Sequence, residues 1–172
     1  MIINLLFEAK ELFLFKITGM KFSRDTRENI VTPGHRQLAN TIVRDIEKGE
    51  LLKDDLLPLI PELCKIYGIS LSEFFITSYH LEDLGVLNYR GSKLYNIRDT
   101  DIGKPLRFMI FCGEGVPEML IKYDSALICL SKILIADYFV HHNDPKLVKK
   151  LLKKHEAEYD KVVYLNDYQL LL

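Results

Sequence analysis

The sequence predicts a mainly α protein: a helix-turn-helix domain with a small β-hairpin wing, followed by a helical C-terminal tail. Three observations predict it. Residues 35–48 place Leu38, Ala39, Ile42, Val43 and Ile46 at i, i+3/i+4 spacing, with Arg36, Arg44, Asp45, Glu47 and Lys48 outside. Two further helical segments and two short β-rich runs follow by residue 98, each bounded by glycine or proline. Residues 117–142 then carry Met119, Leu120, Tyr123, Ala126, Leu127, Leu130, Ile133, Leu134 and Tyr138, apolar around most of a helical circumference.

The chain has 172 residues, 48% of them apolar and 27% charged, as in an ordinary globular protein with a substantial core. Lys+Arg is 23 against Asp+Glu 24, a net charge of −1, which excludes a uniformly basic nucleic-acid coat; any such binding must use a local patch. Cys64, Cys112 and Cys129 are odd in number and widely spaced, with neither CxxC nor metal-ligand spacing. They read as reduced thiols of a cytoplasmic protein. No run of 18 uncharged residues occurs, so no membrane span is expected.

In chain order, residues 2–17 form an amphipathic helix that Gly19 stops, and Thr32-Pro33-Gly34 marks a loop. Residues 1–34 are therefore an N-terminal helix and lead-in. The helix from His35 to Lys48 ends at Gly49. A second holds Leu63, Cys64 and Ile66, with Pro58 or Pro61 in its first turn, where a missing N–H costs nothing. Tyr67-Gly68 closes it, and Ser70 with Glu73 forms a candidate capping box for a third helix that reaches Leu84. Val86–Tyr89 and Lys93–Ile97 read as strands around an Arg90-Gly91-Ser92 turn. Residues 35–98 are thus a helix-turn-helix followed by a wing. The domain 99–172 begins with Pro105–Cys112, an apolar run that fits strand or helix, and continues with the helix 117–142, whose apolar surface needs cover inside this domain or from a second subunit; the short tail can cover little of it, so a homodimer through 99–172 is expected. Asn143-Asp144-Pro145 starts a lysine-rich helix to about residue 160, and residues 162–172 are ambiguous.

His35-Arg36-Gln37-Leu38-Ala39, Ile42, Ile46, Gly49-Glu50-Leu51, Asp55, Leu57-Pro58, Glu62-Leu63, Tyr67-Gly68-Ile69-Ser70, Leu81-Glu82, Gly85-Val86-Leu87 and Arg90-Gly91 follow in an order and spacing that resemble the winged helix-turn-helix of the GntR family of bacterial transcription regulators. The short tail is similar to the YtrA-like subgroup, in which it serves dimerisation. The resemblance implies a homodimer binding a pseudo-palindromic operator in double-stranded DNA, with no enzymatic activity, cofactor or metal; it leaves the effector open. Met20-Lys21-Phe22 looks like the family's lead-in, so either translation starts at Met20 or the helix 2–17 packs on the tail.

Carried onto this chain, the family's DNA contacts fall on Arg36, Ser70, Leu71, Ser72, Phe75, Tyr79, Arg90, Gly91 and Lys93. Three positions that carry Arg, Thr and Arg in the family hold Leu71, Glu73 and Phe75 here, so the third helix offers no cation outward. Phosphate contacts need Lys or Arg, which leaves Arg36, Arg90 and Lys93 to supply them. Ser72, Tyr79 and His80 remain able to hydrogen-bond, and Leu71 and Phe75 to touch thymine methyls. The alternative reading is a winged-helix module that docks a protein on its Leu71, Phe75, Ile76 and Tyr79 stripe. Neither His141-His142, with no third ligand, nor the lone Gly113-Glu114-Gly115 points to a metal or phosphate site.

Overall fold

The computed structural model of the chain describes residues 22–114, 117–130 and 132–165. The expected helix 2–17 and the Met20 start lie outside these residues. The elements are α1 (Gly34–Glu47), α2 (Ile60–Tyr67), α3 (Leu71–Asp83), β1 (Leu87–Gly91), β2 (Leu94–Ile97), β3 (Leu106–Cys112), α4 (Pro117–Ile128), β4 (Leu134–Val140), α5 (Pro145–His155), a 3-10 turn (Glu156–Glu158) and β5 (Lys161–Leu165). The chain is therefore mixed α/β, and the expectation of a mainly α protein with a helical tail is overturned by a parallel three-stranded sheet of order β4-β3-β5.

The first five elements form one unit. Leu38, Ala39, Ile42, Val43 and Ile46 of α1 meet Leu63 and Tyr67 of α2 and Phe74 and Leu81 of α3, with Leu87, Tyr95 and Ile97 of the hairpin closing the core. Pro61 sits in the first turn of α2, where its absent N–H is harmless. β1 and β2 pair antiparallel around a two-residue turn, Ser92-Lys93, with both residues at positive φ, one position later than the sequence places it. The outer edge of β2 is covered by residues 54–57: Asp54 and Leu57 donate their N–H groups to Ile97 and Tyr95, and Ile97 donates to Asp55.

The segment 117–142, read as one helix, is α4, a break and β4. The reason is burial. Central strand β3 sends Ile110 and Cys112 to one face of the sheet, where Leu120 and Leu127 of α4 lie, and Met109 and Phe111 to the other, where Leu147, Leu151 and Leu152 of α5 lie. A parallel strand covered on both faces is a continuous apolar run, and such a run does not alternate. β4 repeats this, with Leu134, Ala136 and Tyr138 toward α4 and Phe139 toward α5. Of the apolar side chains read along 117–142, Leu120, Leu134 and Tyr138 are buried within the chain and Tyr123 and Leu127 half-buried, while Leu130 stays 40% exposed. The Lys-rich helix begins as expected, with Asp144 accepting from the Lys146 N–H, but ends at His155.

The two units are joined along the free edge of β4. Ile30 forms an antiparallel bridge with Phe139, Val31 donates to the Tyr138 carbonyl, and Val140 donates to Asn29. Asn40 of α1 supplies the rest: its carboxamide donates to the Ala136 carbonyl at 2.8 Å and accepts from the Ala136 N–H at 3.1 Å, as the peptide group of a fourth strand would. Ile135 of β4 enters the core of the three-helix unit.

Candidate nucleic-acid interface

The turn from α2 into α3 is built locally. Gly68 is left-handed at φ 62°, and its N–H donates to Cys64. Arg24 reaches across to donate to the carbonyls of Ile66 and Tyr67, at 3.2 and 2.6 Å, a cation on the exposed carbonyls of a helix end. Ser70 then caps α3: its hydroxyl accepts from the Glu73 N–H, and the Glu73 carboxylate accepts from the Ser70 N–H at 2.7 Å, the full capping box. The Ser70 hydroxyl also donates to that carboxylate at 2.6 Å, and this bond together with the one from the Ser70 N–H holds the Glu73 carboxyl below its ordinary range.

Phe74, Thr77, Ser78 and Leu81 point inward, so the outward face of α3 falls where the sequence places it. Leu71, Ile76 and Tyr79 are 54%, 47% and 57% exposed, and Ser72 is exposed beside them. Phe75 is half-buried: its ring stacks on Tyr79 with centroids 5.5 Å apart and meets Phe74 edge-on. Arg90, Ser92 and Lys93 are exposed on the wing, and Gly91, at φ 78°, takes a conformation that favours glycine. Glu82 accepts from the Tyr89 N–H and ties the hairpin to the end of α3. The structure thus brings Ser70, Leu71, Ser72, Phe75, Tyr79, Arg90, Gly91 and Lys93 onto a helix and hairpin that share one core.

Arg36 is not among them, and its expected exposure is corrected. It is 2% exposed, and its Nε donates to Asp124 Oδ1 at 2.7 Å. The other Asp124 oxygen lies 2.6 Å from His35 Nε2, and the Tyr138 hydroxyl donates to Oδ1 at 3.1 Å. Asp124 is fully buried on α4. Burial pushes its carboxyl up, but the Arg36 charge and the hydrogen bonds from His35 and Arg36 outweigh that and hold it below its ordinary range. Burial also raises the Tyr138 hydroxyl. A second carboxylate works alongside. Asp137 of β4 takes Arg44, Arg27 at 2.8 Å, the Tyr159 hydroxyl at 2.6 Å and the Asn40 amide at 2.9 Å. Arg36, Asn40 and Arg44, four residues apart, form one polar stripe of α1, turned to the sheet unit rather than to water.

Sequence reasoning missed Asp124 and Asp137 as partners. The available signal was Asp137, a carboxylate inside the otherwise apolar run 133–140, and Asp124 on the apolar-rich segment 119–130, since a buried charge requires a counter-charge. Elsewhere, His142 pairs with Glu114 at the carboxyl ends of β4 and β3. Among the described residues no group of three His, Cys, Asp or Glu is placed to hold a metal, and no helix is long and apolar enough to cross a membrane. Cys64 and Cys129 are free thiols, and the buried Cys112 lies with its Sγ 3.5 Å from the Phe139 carbonyl.

No protein-family model, curated protein or solved structure matches this chain.

Proposed function

We propose that the chain is a DNA-binding transcription regulator of GntR type, with residues 34–97 as its reading head and the parallel α/β unit as the part that sets or senses the head's state. One observation carries this: the three-helix unit is docked on the sheet through α1, while none of the described residues covers the outward face of α3 or the Ser92-Lys93 wing tip. In helix-turn-helix docking these elements meet the major groove and the backbone. Arg90 and Lys93 supply phosphate contacts, and Ser72 and Tyr79 supply hydrogen bonds to base edges. The sheet reverses its direction of growth at β3, and in open parallel sheets ligands bind beyond the carboxyl ends of strands at such a point. An effector is therefore to be sought near Glu114.

The test is selection of genomic duplex fragments by the purified protein at two salt concentrations. Recovery of a common sequence that survives the higher salt supports the reading; recovery of none at either concentration refutes it. One observation favours a second reading, docking of a protein on the same face: α3 carries neither Lys nor Arg, and its exposed side chains are largely apolar. Phe75→Arg separates the two. It strengthens duplex binding if α3 faces a groove, and it abolishes partner capture without changing duplex binding if the face docks a protein.

A further inference from the structure

We propose that Asp124 and Asp137 form an autoinhibitory clasp that withholds Arg36 and Arg44 from duplex DNA; this rests on the DNA-binding reading above. α3 has no cation, and Arg36 and Arg44 are the two arginines of α1. Phosphate neutralisation by Lys or Arg supplies most non-specific affinity for DNA, and carboxylate and phosphate oxygens are interchangeable partners for a guanidinium. Here both guanidiniums are gripped by carboxylates of the sheet unit: Arg36 by Asp124 of α4, Arg44 by Asp137 of β4. Both lie on the same stripe of α1, so one separation of α1 from the sheet unit, α4 and β4 together, frees them both.

The grip differs from an ordinary structural ion pair in its finish. Among the described residues, the buried Arg36 Nη2 and His35 Nδ1 have no hydrogen-bond partner, whereas buried polar groups of a permanent interface are nearly always paired. Water or phosphate oxygens satisfy those nitrogens once the stripe is released. Arg44 is about a quarter exposed at its side chain, so the Asp137 end of the clasp is already open to competing anions. Arg27 is held additionally by Asp25 and stays with the lead-in.

The experiment compares the full chain with Asp124→Asn/Asp137→Asn in two measurements: hydrogen exchange at the Ala136 amide, which Asn40 covers in the docked state, and binding of a random-sequence duplex across a salt series. The clasp requires exchange about tenfold faster or more in the variant. It also requires tighter binding and a log–log salt slope steeper by about 2, roughly one per released arginine. Unchanged exchange overturns the clasp. Faster exchange with the wild-type slope shows that the arginines do not reach DNA and overturns the autoinhibition. If neither protein binds any duplex, the DNA-binding reading fails and the proposal with it. Should the double variant not fold, Asp137→Asn alone decides: it leaves Arg36 paired, and the slope must steepen by about 1.

Discussion

Asn40 offers the sharpest test of how the two units are joined. Its carboxamide exchanges two hydrogen bonds with Ala136, whose side chain and neighbours are fully buried, and a third with Asp137 Oδ1 at 2.9 Å. Asn40→Ala strands one main-chain N–H and one C=O on the edge of β4. An unsatisfied buried polar group costs about 1–3 kcal/mol, so the pair costs roughly 2–6 kcal/mol, with the lower figure applying if water enters the space left by the side chain. In a chain of this size each kcal/mol corresponds to about 2–4 °C, which predicts a loss in Tm of about 4–24 °C. Calorimetry measures the loss, and exchange of the Ala136 amide locates it. Asn40→Asp separates the hydrogen bonds from mere volume: it keeps the acceptor for the Ala136 N–H, removes the donor to its C=O and sets a carboxylate beside Asp137. Its deficit at neutral pH must shrink as the pH falls and that carboxylate is protonated. A loss for Asn40→Ala below about 3 °C, with Ala136 exchanging as in the wild type, refutes the reasoning that a side-chain amide serves as the missing strand.

Ser70→Ala removes the N-cap of α3 and one half of the capping box, and should cost about 0.5–2 kcal/mol by denaturant titration; no change in midpoint shows the cap to be idle. Arg90→Ala/Lys93→Ala should weaken duplex binding across all sequences and flatten the log–log salt slope by about 2, since wing cations contact backbone phosphates; a loss confined to one sequence would show base reading instead. Acid should destabilise the fold in two stages. Burial, and then the Arg36 charge, hold His80 below the ordinary 6.5, so the unfolded ring takes up a proton first; stability is complete above that value and declines as pH falls through the folded pKa. Asp124 and Asp25, both below the ordinary 3.8 through their arginine partners and despite burial, withdraw their contribution below that pH, while Asp45, raised by burial, opposes them in part. Denaturant midpoints at about pH 8, 5 and 3 check the order, and a midpoint rising on acidification from about 8 to 5 contradicts it.

What the sequence reveals and conceals follows from what each element packs against. α1, α2 and α3 each present one face to a core and another to water or a polar partner, so their periods are readable, and Ser70-Glu73, Asp144-Pro145 and Gly68 mark ends that the structure places within a residue or two. β3 and β4 carry apolar side chains on both faces because α4 covers one and α5 the other. Their sequences, Leu-Arg-Phe-Met-Ile-Phe-Cys and Leu-Ile-Ala-Asp-Tyr-Phe-Val, have no period of two to detect, and joined to the helical 117–128 the second extends an apparent helix. The β-branched and aromatic content from Ile133 to Val140 was the usable signal for a strand.

The candidate site divides along the same line. The outward residues of α3 and the wing cations are legible because they are defined by what they avoid, a core, and helix phase alone settles that. Arg36 is not, because hydrophobic periodicity separates apolar from polar faces and cannot separate water from a charged partner. The stripe Arg36-Asn40-Arg44 reads as a solvated face by every rule of amphipathicity, yet it lies against β4 and α4 with its charges matched by Asp124 and Asp137. Two unexplained features had to be read together to see it: a polar stripe with no clear target on one helix, and carboxylates lodged in apolar runs ninety residues away. Complementary anomalies of this kind are how a charged joint between two units is written into a chain. A joint so written has a conformational consequence that an apolar one lacks, since any anion able to compete for the guanidiniums competes with the docking itself.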